Sequence, residues 1–137
     1  MLRYMLDTNI CIYGIKGQPA TLREKFNQTA EHLCISSVVL AELLFGAENS
    51  NQRQNNLRGV EQFAARLEIL AFGPKAAAHY GQIRAHLERA GTPVGAHDML
   101  IGAHARSEGL TIVTNNTREF TRMPGLTVEN WVASPTS

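Results

Sequence analysis

An α/β domain built on a mainly parallel sheet is what this sequence predicts, and three observations carry the prediction. Short apolar runs of strand length alternate with segments of helical period, as in consecutive βα units. The 137 residues suffice for one hydrophobic core, and no repeat or linker divides them. The 44% hydrophobic and 18% charged residues are those of an ordinary folded chain rather than a disordered one. One domain is therefore expected over residues 1–132, followed by a frayed tail over residues 133–137.

The elements follow in order. The first strand falls at about Arg3–Leu6 and delivers Asp7 to its carboxyl end. A short helix runs from Asn9 to Ile15, and Gly17 and Pro19 separate it from a second over Ala20–Thr29. His32–Ile35 reads as a strand, after which Ser36 or Ser37 caps a helix over Val38–Glu48. Beyond the polar Asn49–Asn56 stretch, Leu57, Val60, Phe63, Ala64 and Leu67 form the apolar face of a helix over Leu57–Leu67. Glu68–Ala71 is a weak strand. Lys75–Arg89 is helical and closes at Gly91, and His97–Glu108 forms another helix stopped by Gly109. Leu110–Val113 is a strand rich in β-branched residues, and Leu126–Val128 is a short last one.

A formal charge of +1 argues against a histone-like or polybasic membrane binder, although a neutral average can still hide local fields. Ten of the 13 cations are Arg, a composition that suits bidentate phosphate contact and equally reflects a codon preference. Cys11 and Cys34 lie in apolar stretches without paired spacing, so reduced buried thiols are expected. Asp7 interrupts any signal-peptide core, and no apolar run approaches the ~18 residues of a membrane span. A cytoplasmic protein is expected.

Three acids stand in unusual settings. Asp7 precedes a helix, where it can cap free backbone N–H groups, and it sits at the sheet edge where α/β proteins bind ligands. Glu42 has Val38, Val39, Phe45 and Gly46 as its helical neighbours, and Asp98 has Val94, Gly95, Ile101 and Gly102. A charged acid on an apolar face is expensive unless something pairs with it or binds it. Gly95 and Gly102 would let other backbone approach on that face. Carboxylates gathered in one cleft repel each other until a cation relieves them, and hard oxygen ligands suit Mg²⁺ or Mn²⁺. The waters such an ion keeps are where a phosphodiester and a nucleophile meet, so metal-assisted phosphodiester hydrolysis is the chemistry this set would support. Thr114 and Asn116 should open on the same edge, with Thr114 able to bond a phosphate or a bound water. Glu119 could contribute a charge, although a helix-capping box with the preceding turn is the favoured reading.

The histidines have plainer readings. His79 and His86, like His97 and His104, stand seven residues apart, and no Cys or acid spacing completes a zinc site. His97 is expected to point away from its neighbour Asp98. Trp131 is a candidate core or dimer-interface anchor.

Met5-Leu6-Asp7-Thr8-Asn9, Ser36-Ser37 through Ala41-Glu42-Leu43 to Gly46, Ala96-His97-Asp98-Met99-Leu100-Ile101, and Val113-Thr114-Asn115-Asn116 through Glu119-Phe120 arrive in an order that resembles the PIN-domain ribonucleases. More closely, they resemble the VapC-like toxins of type II toxin–antitoxin systems. The resemblance implies a three-layer α/β/α sandwich and a Mg²⁺- or Mn²⁺-dependent endoribonuclease that inhibits translation. It also implies a small VapB-like antitoxin as partner and usually a homodimer. It assigns Asp7, Glu42 and Asp98 as metal-binding acids: Asp7 and Asp98 hold the ion, and Glu42 completes the cluster or orients the attacking water. Thr8 and Thr114 are candidate phosphate or water partners. Many members carry Asp where this chain has Asn116, so three acids and a neutral fourth corner are expected. Some similar toxins cleave tRNA in the anticodon stem-loop, initiator tRNA included. Arg53, Arg58, Arg84, Arg89 and Arg118 are candidate contacts to an RNA backbone.

Two enzyme or signalling rivals fail on residues. A haloacid-dehalogenase-like phosphatase needs a second Asp two positions after the first, where Asn9 stands, and a phospho-receiver needs an acid pair and a late Lys. A PIN-like scaffold that binds RNA or an antitoxin without cutting stays open because of Asn116.

Overall fold

The computed structural model describes residues 1–132; the tail expected to fray, residues 133–137, lies outside the described residues. Five strands form one sheet in the order β3-β2-β1-β4-β5, namely β1 (Tyr4–Leu6), β2 (Leu33–Ser36), β3 (Glu68–Leu70), β4 (Thr111–Val113) and β5 (Val128–Glu129). Every pairing among them is parallel. All residues of β1 and β2 are buried. Successive strand side chains point to opposite faces, so both faces of the sheet are covered, as a three-layer sandwich requires.

The covering helices are α1 (Thr8–Lys16), α2 (Ala20–Thr29), α3 (Ser37–Glu48), α4 (Arg53–Ala64), α5 (Pro74–Ala90), α6 (Ala96–Ser107) and the short α7 (Thr117–Phe120). Met5, Leu6, Ile10, Ile35, Ile112 and Phe120 are wholly buried between the layers. Trp131, partly buried at the edge of the core, packs edge-on against Tyr4 at 4.9 Å and donates its indole N–H to Glu129 at 2.9 Å. Cys11 and Cys34 are free and buried. No helix is long and apolar enough to cross a membrane among the described residues.

Some boundaries and one glycine contact depart from the sequence reading. The α4 helix spans Arg53–Ala64 rather than Leu57–Leu67: its first turn is exposed and polar and carries no apolar period, and the helix is capped at Ala65. The last strand is Val128–Glu129 rather than Leu126–Val128, since edge pairing with Ile112 and Val113 sets its position. Gly102 does admit a close neighbour, but it is the Met123 side chain and not backbone, and nothing lies within 4 Å of a Cβ built on Gly95.

The chain steps from β1 to β2 to β3 in one direction and then crosses back to β4 on the other side of β1. A reversal of this kind leaves a crevice outside the carboxyl ends of the two strands that flank it. Here those strands are β1 and β4, whose last residues Leu6 and Val113 are in register. The next residues are Asp7 and Thr114.

Candidate active site

Asp7 caps α1 and lines the crevice. One carboxylate oxygen accepts the Ile10 N–H at 2.9 Å, as an N-cap should, and this leaves the other to face Thr114. The Thr114 hydroxyl donates to that second oxygen and itself accepts the Asn116 N–H at 2.8 Å. Asp7 is only 4% exposed. Burial pushes its carboxyl above the usual range, the Thr114 and Ile10 hydrogen bonds pull it back, and the nearby charge of Asp98 adds to the rise.

Asp98, in the first turn of α6, accepts a hydrogen bond from the Asn116 side-chain amide at 3.0 Å. Its carboxyl is also raised, first by burial and then by the charge of Glu119, against the Asn116 amide and His97. The neutral fourth corner thus serves the third acid. The capping box expected at Glu119 does not form. The Asn116 N–H that it would bind is taken by Thr114, the Asn116 side chain makes no cap bond, and one Glu119 carboxylate oxygen is buried without a partner among the described residues. The charge of Glu119 instead acts on Asp98, a relation hidden in the sequence because Asn and Thr before a short helix are ordinary capping residues.

Glu42, on α3, lines the same open cleft as Asp7, Thr8, His97, Asp98 and Asn116. His97 does not point away from the acids: its Nε2 lies 2.5 Å from a Glu42 carboxylate oxygen. Neighbouring positions on a helix do diverge, and His97 diverges from Asp98 toward α3, a helix that local spacing cannot place. The pair is solvent-open, with side chains 58% and 35% exposed, so it holds neither helix firmly. Two of the candidate RNA-contacting arginines are engaged on the surface, Arg53 with Glu48 and Arg84 with Glu88. Arg118 lies on α7 beside Glu119.

The donor set suits a hard divalent cation. Among the described residues, no group of three His, Cys, Asp or Glu side chains stands close enough together to hold a metal ion as placed. The acids offer oxygen ligands, the Asp7 and Asp98 carboxyls are raised first by burial and then by the charge of Asp98 and of Glu119 respectively, and a buried Glu119 oxygen lacks any donor among the described residues. Each feature is relieved by positive charge in the cleft. Asp7, Glu42 and Asp98 would hold it, with Glu119 behind Asp98.

The chain as a whole is similar to known proteins. Residues 4–126 match the PIN domain. The chain is 55% identical over 131 residues to the tRNA(fMet)-specific endonuclease VapC of Shigella flexneri, covering 96% of this chain and 99% of that one. It is 52% identical over 132 residues to ribonuclease VapC2 of Haemophilus influenzae, covering 96% and 100% of the two chains. In three dimensions it superposes with a TM-score of 0.93 and 53% identity on the structure of DNA-bound VapBC from Salmonella typhimurium, covering 96% of this chain and 99% of the other. With the fold, the motif order and these likenesses in agreement, the chain belongs to the PIN-domain family, in its VapC-like toxin branch.

Proposed function

We propose that this protein is a divalent-cation-dependent endoribonuclease, the toxin of a VapBC-type pair, acting in the cytoplasm to hydrolyse RNA and so inhibit translation. One observation carries the reading: the crevice between β1 and β4 gathers Asp7, Glu42 and Asp98, which lie far apart in sequence, into one solvent-open cleft. A bound Mg²⁺ or Mn²⁺ would neutralise charge on the scissile phosphate and make a water acidic enough to attack at neutral pH. The chain's own groups do the rest. Asp7 and Asp98 anchor the site, the first oriented by Thr114 and the Ile10 N–H, the second by the Asn116 amide. Glu42, at the rim, orients the attacking water and takes its proton. Thr8 offers a hydroxyl to a phosphate oxygen from the first turn of α1.

The substrate we favour is tRNA, the initiator tRNA cut in its anticodon stem-loop, because the Shigella flexneri relative bears that specificity in its name. A VapB-like antitoxin is the expected partner, on the support of the VapBC complex that this chain resembles, and a homodimer is the expected assembly. Purified protein incubated with initiator tRNA and with unrelated RNA, in Mg²⁺, in Mn²⁺ and in EDTA, tests the reading. Metal-dependent cleavage that disappears in Asp7→Ala and Asp98→Ala is expected. Cleavage that survives EDTA or both substitutions would sink it, and binding without cleavage would favour the non-cutting scaffold.

A further inference from the structure

The two histidines seven residues apart on α6 both reach α3. His97 meets Glu42, and His104 Nδ1 shares a hydrogen bond of 2.8 Å with Ser36 Oγ. Ser36 precedes Glu42 by six residues, and His104 follows Asp98 by six. The two helices therefore run in opposite directions along this contact, and the Ser36–His104 pair lies ~9 Å along each helix from its acid. The outer pair is open to water, whereas the inner pair is buried, with Ser36 0% and His104 1% exposed. Only the inner pair is placed to hold a register.

The start of α3 is pinned from several sides. Ser36 Oγ accepts the Val38 N–H at 3.1 Å as the helix cap, while bonding His104. The neighbouring Ser37 Oγ accepts the Phe72 N–H at 3.1 Å, and the Phe72 ring stands edge-on to His104 at 5.5 Å. A buried imidazole is not needed for packing here, since an apolar side chain would fill the same space without its desolvation cost. We propose that Ser36 and His104 are positioning residues that lock α3 against α6 and thereby set Glu42 opposite Asp98. The inference rests on the reading of these acids as a divalent-cation site.

Full-length protein is titrated with Mn²⁺ and followed by thermal shift, with RNA cleavage measured in parallel. His104→Leu keeps its fold and its metal-free Tm, yet binds Mn²⁺ about tenfold more weakly, and kcat falls while KM for RNA holds. His104→Asn, whose side-chain amide can take the place of Nδ1, restores Mn²⁺ binding, and His104→Gln does not. Ser36→Ala reproduces the weakened binding with a lower Tm from the lost cap. Wild-type Mn²⁺ affinity in either His104→Leu or Ser36→Ala overturns the proposal, as does His104→Asn binding no better than His104→Leu. Should His104→Leu fail to fold, Ser36→Ala decides by the same reading. A wild-type protein with no Mn²⁺ response overturns the cation-site reading itself, and this inference falls with it.

Discussion

The two ends of α1 face opposite charge. Its amino-terminal end starts at Asp7 and opens on Glu42 and Asp98. Its carboxyl-terminal end borders a hollow lined by Lys16, Arg23 and Arg66 together with Phe26 and Phe63. Both signs agree with the helix dipole, which favours acids at the start and cations at the end. What differs is water. The three cations are exposed and keep their hydration, while Asp7 is buried and Asp98 half-buried, and both carboxyls are raised. One end buries its acids at a cost in stability, and the other leaves its cations hydrated.

That contrast can be broken, starting with the largest effect. Asp7→Ala is expected to reduce metal-dependent cleavage on the order of a thousandfold while the loss of its helix cap costs only about 1 kcal/mol. Comparing a cleavage assay with a urea titration on one preparation checks both halves, and a collapse of stability to match activity would erase the distinction. Gly14→Ala probes the far end. A Cβ there would collide with the Phe26 ring and stand 2.9 Å from Phe63. It should lower stability by about 1–3 kcal/mol with the Mn²⁺ response retained.

Thr114→Val removes the hydroxyl that donates to Asp7 and accepts from Asn116. Since that hydrogen bond holds the Asp7 carboxyl down, its loss moves the acid limb of the pH–rate profile to higher pH, with a rate loss of about tenfold. An unmoved limb would remove Thr114 from the site.

The smallest effect is on metal-free stability. Asp7 and Asp98 both titrate above their ordinary value of 3.8 in the folded chain. Between 3.8 and those raised values the folded state binds more protons than the unfolded one, so stability falls as pH rises through that window. Asp98→Asn keeps an acceptor for the Asn116 amide and removes the charge, so metal-free Tm near neutral pH should rise by about 2 °C or more. Divalent cation should raise wild-type Tm and not that of the variant. A lower Tm in Asp98→Asn without metal would mean that the acid stabilises the fold.

Much of this was legible along the chain because the signals are local. The α2 helix falls at Ala20–Thr29 as its punctuation by Pro19 indicates, and Ser36 caps α3. Asp7, Glu42 and Asp98 stand out because a charge among apolar neighbours is costly wherever the chain runs. The side of a partner that a residue meets is not local. His97 turns to Glu42 and Thr114 to Asp7 only because α3 and α6, or β1 and β4, are laid together by the sheet order. Glu119 was masked for the same reason, since its turn chemistry suggests a cap and only Asp98 nearby gives its buried oxygen another meaning.

By itself the sequence determined the βα alternation, the acids at strand and helix ends, and the family motifs, because period, capping and charge burial are written in neighbours a few residues apart. The tertiary structure decided which oxygen of Asp7 meets Thr114, that Asn116 is bound to Asp98, and that two histidines of one helix have unlike surroundings. Those outcomes depend on groups brought within hydrogen-bond reach across as many as 107 residues of chain, where packing of the layers alone sets the geometry.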